Sequence, residues 1–510
     1  MSRFAKEDCV SGRHRWWLVV VFGVAAGLPW TTAAQGQSPA GQLLAGDGFM
    51  TNARYREAVL AYRAAKLTED PALQVRAVVG EVRALHRIAA YIDASASGSV
   101  VAAAHPTQPD ALAIYGDGLW GTGLFQEAEV QYGRALELDG QNARARHGRG
   151  RSLLAQNQYD AALADLLFAT RKDPAEATYW SSLAAAYERG RKYDDSITTL
   201  GRFVELLPKQ VDDPMVLAAR GQVELLRNFR SRVPLDGVSE TEQYVVPFRI
   251  VNGRPVVKAR LNGQSAIDLV VDTGADRVAL TPNMARRAGV AMISRLETAG
   301  VGEMSRGFRP VETARLDQLE VGTLRVRNVP CLIKNPALPL LPVPEGEVFS
   351  PLALGLSMRM DYEKHTLTMA RHLPAQTYAI TLPMRMSRLP VVRGIINGSA
   401  PAGFIVDTGG IATSVNLSVA ARVTPIEDAR RVPVRVYGMA GLDRSAFLMP
   451  FVDIAFARDV GVARSSVVVL NLDAPSALLG FQLGGIIGHQ FLSQYEVSVD
   501  LERSLIGLRR

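Results

Sequence analysis

Three short motifs at residues 255–274 recur at 390–409 at one offset, 135 residues, with no gap between them. Pro255-Val256-Val257 falls on Pro390-Val391-Val392, Asn262-Gly263 on Asn397-Gly398, and Asp272-Thr273-Gly274 on Asp407-Thr408-Gly409. An apolar run leads into each triplet, Leu269-Val270-Val271 in one and Phe404-Ile405-Val406 in the other. Short β-branched runs broken by Asn-Gly turns read as strands and hairpins. From about residue 243 onward the chain must therefore fold as two copies of one β unit. One Asp-Thr-Gly is a weak signal, expected by chance in about one chain of this size in ten at average composition. Two at matching positions of a duplicated unit constrain the fold and the chemistry together.

The first half of the chain repeats at a different period. A shift of 34 aligns Gly116, Gly150 and Ala184, then Phe125, Tyr159 and Tyr193. The same shift aligns Ala128, Ala162 and Ser196, then Ala135, Ala169 and Phe203, and the units end at Gly140, Pro174 and Pro208. Each unit reads as two helices with small residues where they cross, an aromatic after the turn and a closing proline. Two looser copies come earlier, at Tyr55 and Ala58 and at Tyr91 and Ala94. This is the period and pattern of tetratricopeptide repeats. A helix from about Pro214 to Arg230 is expected to cap the stack, with a polar outer face. Such a stack offers a concave groove for a peptide or partner protein; the other reading is a spacer or stabilising arm. A Gly-x-Gly-x-x-Gly match at Gly116, Gly118 and Gly121 lies inside a repeat helix and not after a strand, so it reads as helix packing rather than a nucleotide site.

The paired triplets in a duplicated β unit resemble the aspartic proteases, the pepsin and retropepsin group in particular. Asp272-Thr273-Gly274-Ala275-Asp276 is especially similar to retropepsins. The resemblance implies a multidomain α and β chain, a helical tetratricopeptide solenoid followed by a two-lobed all-β acid-protease fold with one site on the pseudo-twofold axis. It implies catalytic roles for Asp272 and Asp407, loop-locking roles for Thr273 and Thr408, and room for backbone amides at Gly274 and Gly409. Ala275 and Gly410 stand where pepsins usually carry a hydroxyl. The family also packs two apolar residues and a glycine behind each loop. Ile486-Ile487-Gly488 fits in the second lobe, and Ala353-Leu354-Gly355 is the candidate in the first. Gly355 lies 6 residues before Asp361, against 12 from Gly488 to Asp500, so the short helix after it is expected to be missing. Candidate flap hairpins carry Gly300 and Gly302 in the first lobe and Tyr437, Gly438 and Gly441 in the second, where glycine suits a bending tip.

Two facing carboxylates explain why such a site works. Like charges a few ångströms apart keep one proton between them. The ionised member takes a proton from a water that attacks the peptide carbonyl, and the protonated member donates to the carbonyl oxygen. The roles belong to the pair and are not divisible from sequence. Without a hydroxyl at positions 275 and 410 the optimum is expected to be less acid than pepsin's, at about pH 5–7.

Other chemistries find little support. The 7 histidines are scattered, and Cys9 and Cys331 are too few for a Cys-based zinc site, so no metal and no cofactor are expected. His489 reads as a satisfied loop histidine and Cys331 as a core thiol. The net charge is +7, but the basic residues are spread among 50 acids with no basic block, which argues against nucleic acid. Arg3, Lys6, Arg13 and Arg15 precede an apolar run from Trp16 to Pro29 and then Thr31, Thr32, Ala33 and Ala34. That order describes a secretory signal, with an uncleaved anchor as the alternative.

The expected organisation is a signal peptide over 1–34, repeats over 41–232, a linker over 233–242, and lobes over 243–373 and 374–510. The expected activity is an exported aspartic endopeptidase, periplasmic or secreted, with a peptide or protein substrate, a protein partner in the repeat groove and no membrane span after signal cleavage. The alternatives are an inactive protease-like module in a repeat-based adaptor and a self-processing enzyme with the repeats as a regulatory arm.

Overall fold

The structure is a computed structural model that describes residues 38–208, 214–229, 232–301, 308–334, 347–423, 431–438 and 441–510. The export segment at 1–34, with Cys9, lies outside these residues. So do Gly302 and most of the proline-rich stretch between Asn335 and Pro351.

Among the described residues, ten helices from Pro39–Thr51 to Tyr193–Leu206 pair as five hairpins, and an eleventh, Pro214–Phe229, follows them. The 34-residue period sets their geometry. Tyr91, Phe125, Tyr159 and Tyr193 each open the second helix of a pair. Two residues before each of them, Ala89, Gly123, Asn157 and Arg191 all take left-handed φ values between 56° and 76°. That conformation turns the chain sharply after the first helix, and of the four only Gly123 adopts it without strain. Sixteen residues separate Gly46 from Tyr62, Gly116 from Tyr132 and Gly150 from Leu166. In each pair the larger side chain lies where a glycine Cβ would be, at 2.6, 2.5 and 2.9 Å. The repeating small residues are thus the sockets into which the second helix packs.

The β half begins at Tyr244–Pro247 and forms two large sheets. An eight-stranded sheet holds first-lobe strands from Arg249–Val251 to Glu347–Phe349. A thirteen-stranded sheet takes Tyr244–Pro247, Thr366–Ala370 and Ser357–Asp361 from the first lobe. It continues without a break into Glu496–Asp500, Leu505–Arg509 and Ile380–Ser387 of the second. The two lobes join where Met358, Arg359 and Met360 pair antiparallel with Val499, Ser498 and Val497. The turns beside this seam match: Asp361 Oδ1 accepts from the Lys364 amide and Asp500 Oδ1 from the Arg503 amide, both at 2.9 Å. The floor of the β half is therefore one shared sheet with pseudo-twofold symmetry, and a single apolar core spans it from Tyr244 to Leu508. Cys331 is buried in that core. No helix of the described residues is long and apolar enough to cross a membrane.

The repeats and the second lobe share a second core. Leu119, Trp120 and Phe125 pack with Val391, Ile405, Phe481 and Leu483, and the Phe125 and Phe481 rings meet edge to face at 5.0 Å. The Gln482 amide donates to Gly121 O at 2.7 Å, and Gly123 O lies 3.2 Å from where a Cβ on Gly403 would sit. This close approach of two backbones accounts for glycine on both sides. Around it, Arg385 forks onto both oxygens of Glu129 at 2.7 Å and Arg393 pairs with Glu127 at 2.8 Å. The helix Pro214–Phe229 differs from its expected polar-faced cap. It rests on a first-lobe strand, Met292–Ala299, with Gly221 O accepting from Ser294 Oγ at 3.1 Å. Phe125→Ala would empty a site that is 4% exposed at this joint. We expect a loss of about 3–5 kcal/mol, read as a lower denaturation midpoint of the helical signal by circular dichroism.

Candidate active site

The strands Ile267–Val271 and Ala400–Val406 each run parallel to a later strand of their own lobe, Glu347–Phe349 and Leu483–Ile487. Each ends on its triplet at the same point of that pairing. The Asp272 amide donates to Phe349 O and the Asp407 amide to Ile487 O, both at 3.0 Å. These bonds hold the two turns at one height above the shared sheet.

The threonines then cross between the lobes. The Thr273 amide donates to Thr408 Oγ1 at 3.1 Å, and the Thr408 amide to Thr273 Oγ1 at 3.0 Å. Each hydroxyl donates onward, Thr273 Oγ1 to Val406 O at 2.6 Å and Thr408 Oγ1 to Val271 O at 2.7 Å. Both threonines are fully buried. The arrangement uses each hydroxyl as acceptor and donor at once, which only serine or threonine can do at this size.

With the loops locked, the carboxyl groups face the opposing glycines. A Cβ on Gly274 would lie 2.6 Å from Asp407 Cγ, and a Cβ on Gly409 2.5 Å from Asp272 Cγ. No side chain fits at either position. The carboxyl groups themselves differ. Asp407 Oδ1 accepts from the Gly409 and Gly410 amides at 2.9 and 2.8 Å. Asp272 Oδ1 is buried and has no partner among the protein groups described, while the Ala275 amide turns to Asp272 O at 3.3 Å. Burial pushes Asp407 well above the usual carboxylate range, and the charge of Asp272 and a carboxyl–carboxyl hydrogen bond push it further. The two glycine amides oppose the shift without cancelling it. The pair therefore holds one proton at pH values where ordinary carboxylates have lost theirs. A Cβ on Gly410 would lie 2.7 Å from Asp407 Oδ2, so a side chain here would require the carboxyl to shift, and the Gly410 amide supplies a hydrogen bond to it at 2.8 Å.

One sequence expectation is corrected. Gly355 does not back the first catalytic turn. The partner of Asp272 is Phe349, so the residue matching Gly488 is Ser350. Gly355 instead closes a short 3-10 helix, Leu352–Leu354, in a left-handed conformation at φ 74°. That helix matches His489–Leu492 of the second lobe, and 11 residues separate Ser350 from Asp361. The first lobe is thus as regular as the second. A search for glycine misses it, and the apolar alternation of Glu347-Val348-Phe349 is the available signal. Gly488 does back the second turn, where the His489 amide donates to Gly410 O at 2.7 Å. His489 packs against Tyr362 with rings 5.2 Å apart, and burial lowers its pKa, so it is a packing residue.

Both flap candidates are hairpins. Met292–Ala299 pairs with Phe308–Val321, placing Gly300 and Val301 at one tip, and Val436–Gly438 pairs with Gly441–Asp443. The hairpins approach each other beside their tips, where a Cβ on Gly438 would collide with Val301 O. The backbone of Tyr437 pairs with Leu442 in the second hairpin.

Two polar links have no signal in the local sequence. Asp276 pairs with Arg388 across the lobes, with Nε at 3.1 Å. Burial pushes the Asp276 carboxyl up, but Arg388 and Arg277 pull it down to about 2. Arg277 Nη2 donates to Gln222 Oε1 of the last repeat helix at 2.5 Å. Among the described residues no His, Cys, Asp and Glu group could hold a metal ion.

Comparisons with known proteins match two parts of the chain. The aspartyl protease family profile matches residues 257–357, and a tetratricopeptide repeat profile matches residues 147–210. Solved structures that match include a thermophilic tetratricopeptide protein from Thermus thermophilus, at 18% identity over 36% of this chain and 99% of that one, with a TM-score of 0.30. A tetratricopeptide repeat protein from Parabacteroides merdae matches at 15% identity over 39% of this chain and 76% of its own, with a TM-score of 0.28. An aspartic proteinase from Irpex lacteus matches at 14% identity over 52% of this chain and 97% of its own, with a TM-score of 0.32. No curated protein sequence matches the chain. The chain joins tetratricopeptide repeats to an aspartyl protease domain.

Two outcomes test the geometry. Thr408→Val removes two buried hydrogen bonds and strands the Thr273 amide. We expect a cost of about 2–4 kcal/mol in urea denaturation, with Thr408→Ser much milder. The raised pKa of Asp407 means that its carboxyl costs the fold nothing below its unfolded value, near 4, and an increasing amount as pH rises toward the folded value. Asp407→Asn should therefore melt higher than wild type at pH 7 and no higher at pH 3, by thermal denaturation.

Proposed function

We propose that the chain is an aspartic endopeptidase that hydrolyses peptide bonds by a water activated between Asp272 and Asp407. The observation that carries this reading is the pair of carboxyl groups held face to face by crossed threonine bonds, with one member kept protonated by burial and by the other. In the reaction the ionised carboxylate takes a proton from the water, and the oxygen attacks the peptide carbonyl. The protonated carboxyl donates to the carbonyl oxygen as it gains charge. The proton taken from water passes to the leaving nitrogen as the carbon–nitrogen bond breaks, and a hydroxyl of the tetrahedral intermediate returns its proton to the carboxyl that donated one as the carbonyl re-forms, which restores the singly protonated pair. The two flap hairpins would close over an extended peptide and exclude bulk water. The regular first lobe removes the main sequence-level reason to favour an inactive module.

The repeats support a role in binding protein, and their joint with the second lobe makes that lobe a part of what they hold. Export is proposed from the basic, apolar and small-residue order of residues 1–34.

Purified protein should cleave unstructured peptides, and Asp272→Asn or Asp407→Asn should lower kcat by about 10³-fold or more. Because the shared proton is held above the usual carboxylate range, wild-type kcat/KM should remain substantial toward neutral pH. Activity confined below pH 4, or equal activity in the variants, would contradict the dyad.

A further inference from the structure

Beyond the dyad, the repeats reach the catalytic turn through one residue. Arg277 lies five positions after Asp272, next to Asp276. Its Nη2 donates to Gln222 Oε1, and Gln222 Nε2 donates to Glu188 Oε1 at 2.8 Å, at the end of the helix Ala177–Arg189. A chain of hydrogen bonds thus runs from two repeat helices into the turn that carries Asp272.

Arg277 is only half used. Its Nη1 is buried and has no hydrogen-bond partner among the described residues. Its neighbouring carboxylate, Asp276, is already held by Arg388. Arg189 donates to Met386 O at 3.3 Å, two residues before Arg388, and Lys334 also acts on Asp276. Arg388 and Arg277 both act on the Asp276 carboxyl, so among the described residues two guanidinium groups stand beside this one carboxylate. A half-buried guanidinium whose Nη1 N–H meets no described residue, beside a carboxylate that Arg388 already holds, suits a carboxylate partner, whose two oxygens match its fork. Leaving that N–H unmet is costly, so a substrate that meets it is favoured over one that does not.

We propose that Arg277 is a specificity-determining residue that binds an acidic side chain, Asp or Glu, of a peptide substrate, and that Gln222 is a positioning residue that holds it. The repeats then take part in choosing the substrate as well as bracing the protease. This inference rests on the peptidase reading for its substrate class.

The test uses full-length protein and peptides that share one scissile bond, with Asp, Asn or Lys placed in turn at each flanking position. Wild type should favour Asp over Asn by about tenfold or more in kcat/KM at one position. Arg277→Gln should abolish that ratio, Gln222→Ala should reduce it, and Arg277→Glu should turn the preference toward Lys. A reversal of charge preference is not something a merely structural residue can produce. Equal rates for Asp and Asn peptides at every position, or an undiminished ratio in Arg277→Gln, would overturn the proposal. The same peptides are bound to Asp272→Asn and followed by fluorescence anisotropy. If nothing is cleaved, the peptidase reading fails. Tighter binding of the Asp peptide that is lost with Arg277→Gln still supports the inference, and equal binding overturns it.

Discussion

The crossed threonine bonds are the interaction on which the β half depends. Each lobe alone would present a turn with a buried amide and a buried hydroxyl lacking partners, a cost of about 1–3 kcal/mol for each such group. Set against each other, Thr273 and Thr408 satisfy both turns with four bonds of 2.6–3.1 Å. The same bonds fix the distance between Asp272 and Asp407. Their geometry follows from the shared sheet beneath, where Met358–Met360 meets Val497–Val499. Stability and chemistry are therefore coupled at one point of the molecule.

From that near-symmetric frame the structure makes an unequal pair. Gly409 and Gly410 give two amides to one oxygen of Asp407, and Asp272 Oδ1 receives none from the described residues. Burial and mutual repulsion still keep a proton on the pair. A site that keeps a shared proton in the resting state spends stability at neutral pH, as functional sites often do. The absence of a hydroxyl after each triplet reads from sequence as a loss. At Gly410 the carboxyl of Asp407 lies so close, 2.7 Å from where a Cβ would sit, that a side chain there would have to displace it.

Much of this is legible in the residues because two periods are written into the chain. The 34-residue repeat gives the helix pairs, and the sockets under Tyr62, Tyr132 and Leu166 show why small residues recur at that spacing. The 135-residue duplication gives the paired turns and both aspartates. Legibility fails where a role passes to an unexpected residue type. Ser350 stands where a glycine is expected, because at that position only the backbone of the preceding Phe349 is required. It fails again for contacts between distant segments. Nothing in the local sequence links Gly123 to Gly403, Asp276 to Arg388 or Gln222 to Arg277. Those pairings arise from tertiary packing alone.

The repeats pack against both lobes of the protease-like domain rather than standing apart from it. Their turn at Gly121–Leu124 packs on the second lobe, and their last helix lies along a flap strand of the first. Strand alternation places Gly403 and Ile405 on one face of Ala400–Val406, where both meet the repeats. The repeats thus pack on the strand that leads into Asp407, and the chain carries both aspartates of the proposed site. Titration calorimetry with a peptide bearing a tetrahedral hydroxyl isostere at the scissile position tests this most directly. The account predicts one molecule bound per monomeric chain, with binding lost in Asp272→Asn and in Asp407→Asn alike. One molecule per two chains, or binding that survives loss of either aspartate, would contradict it.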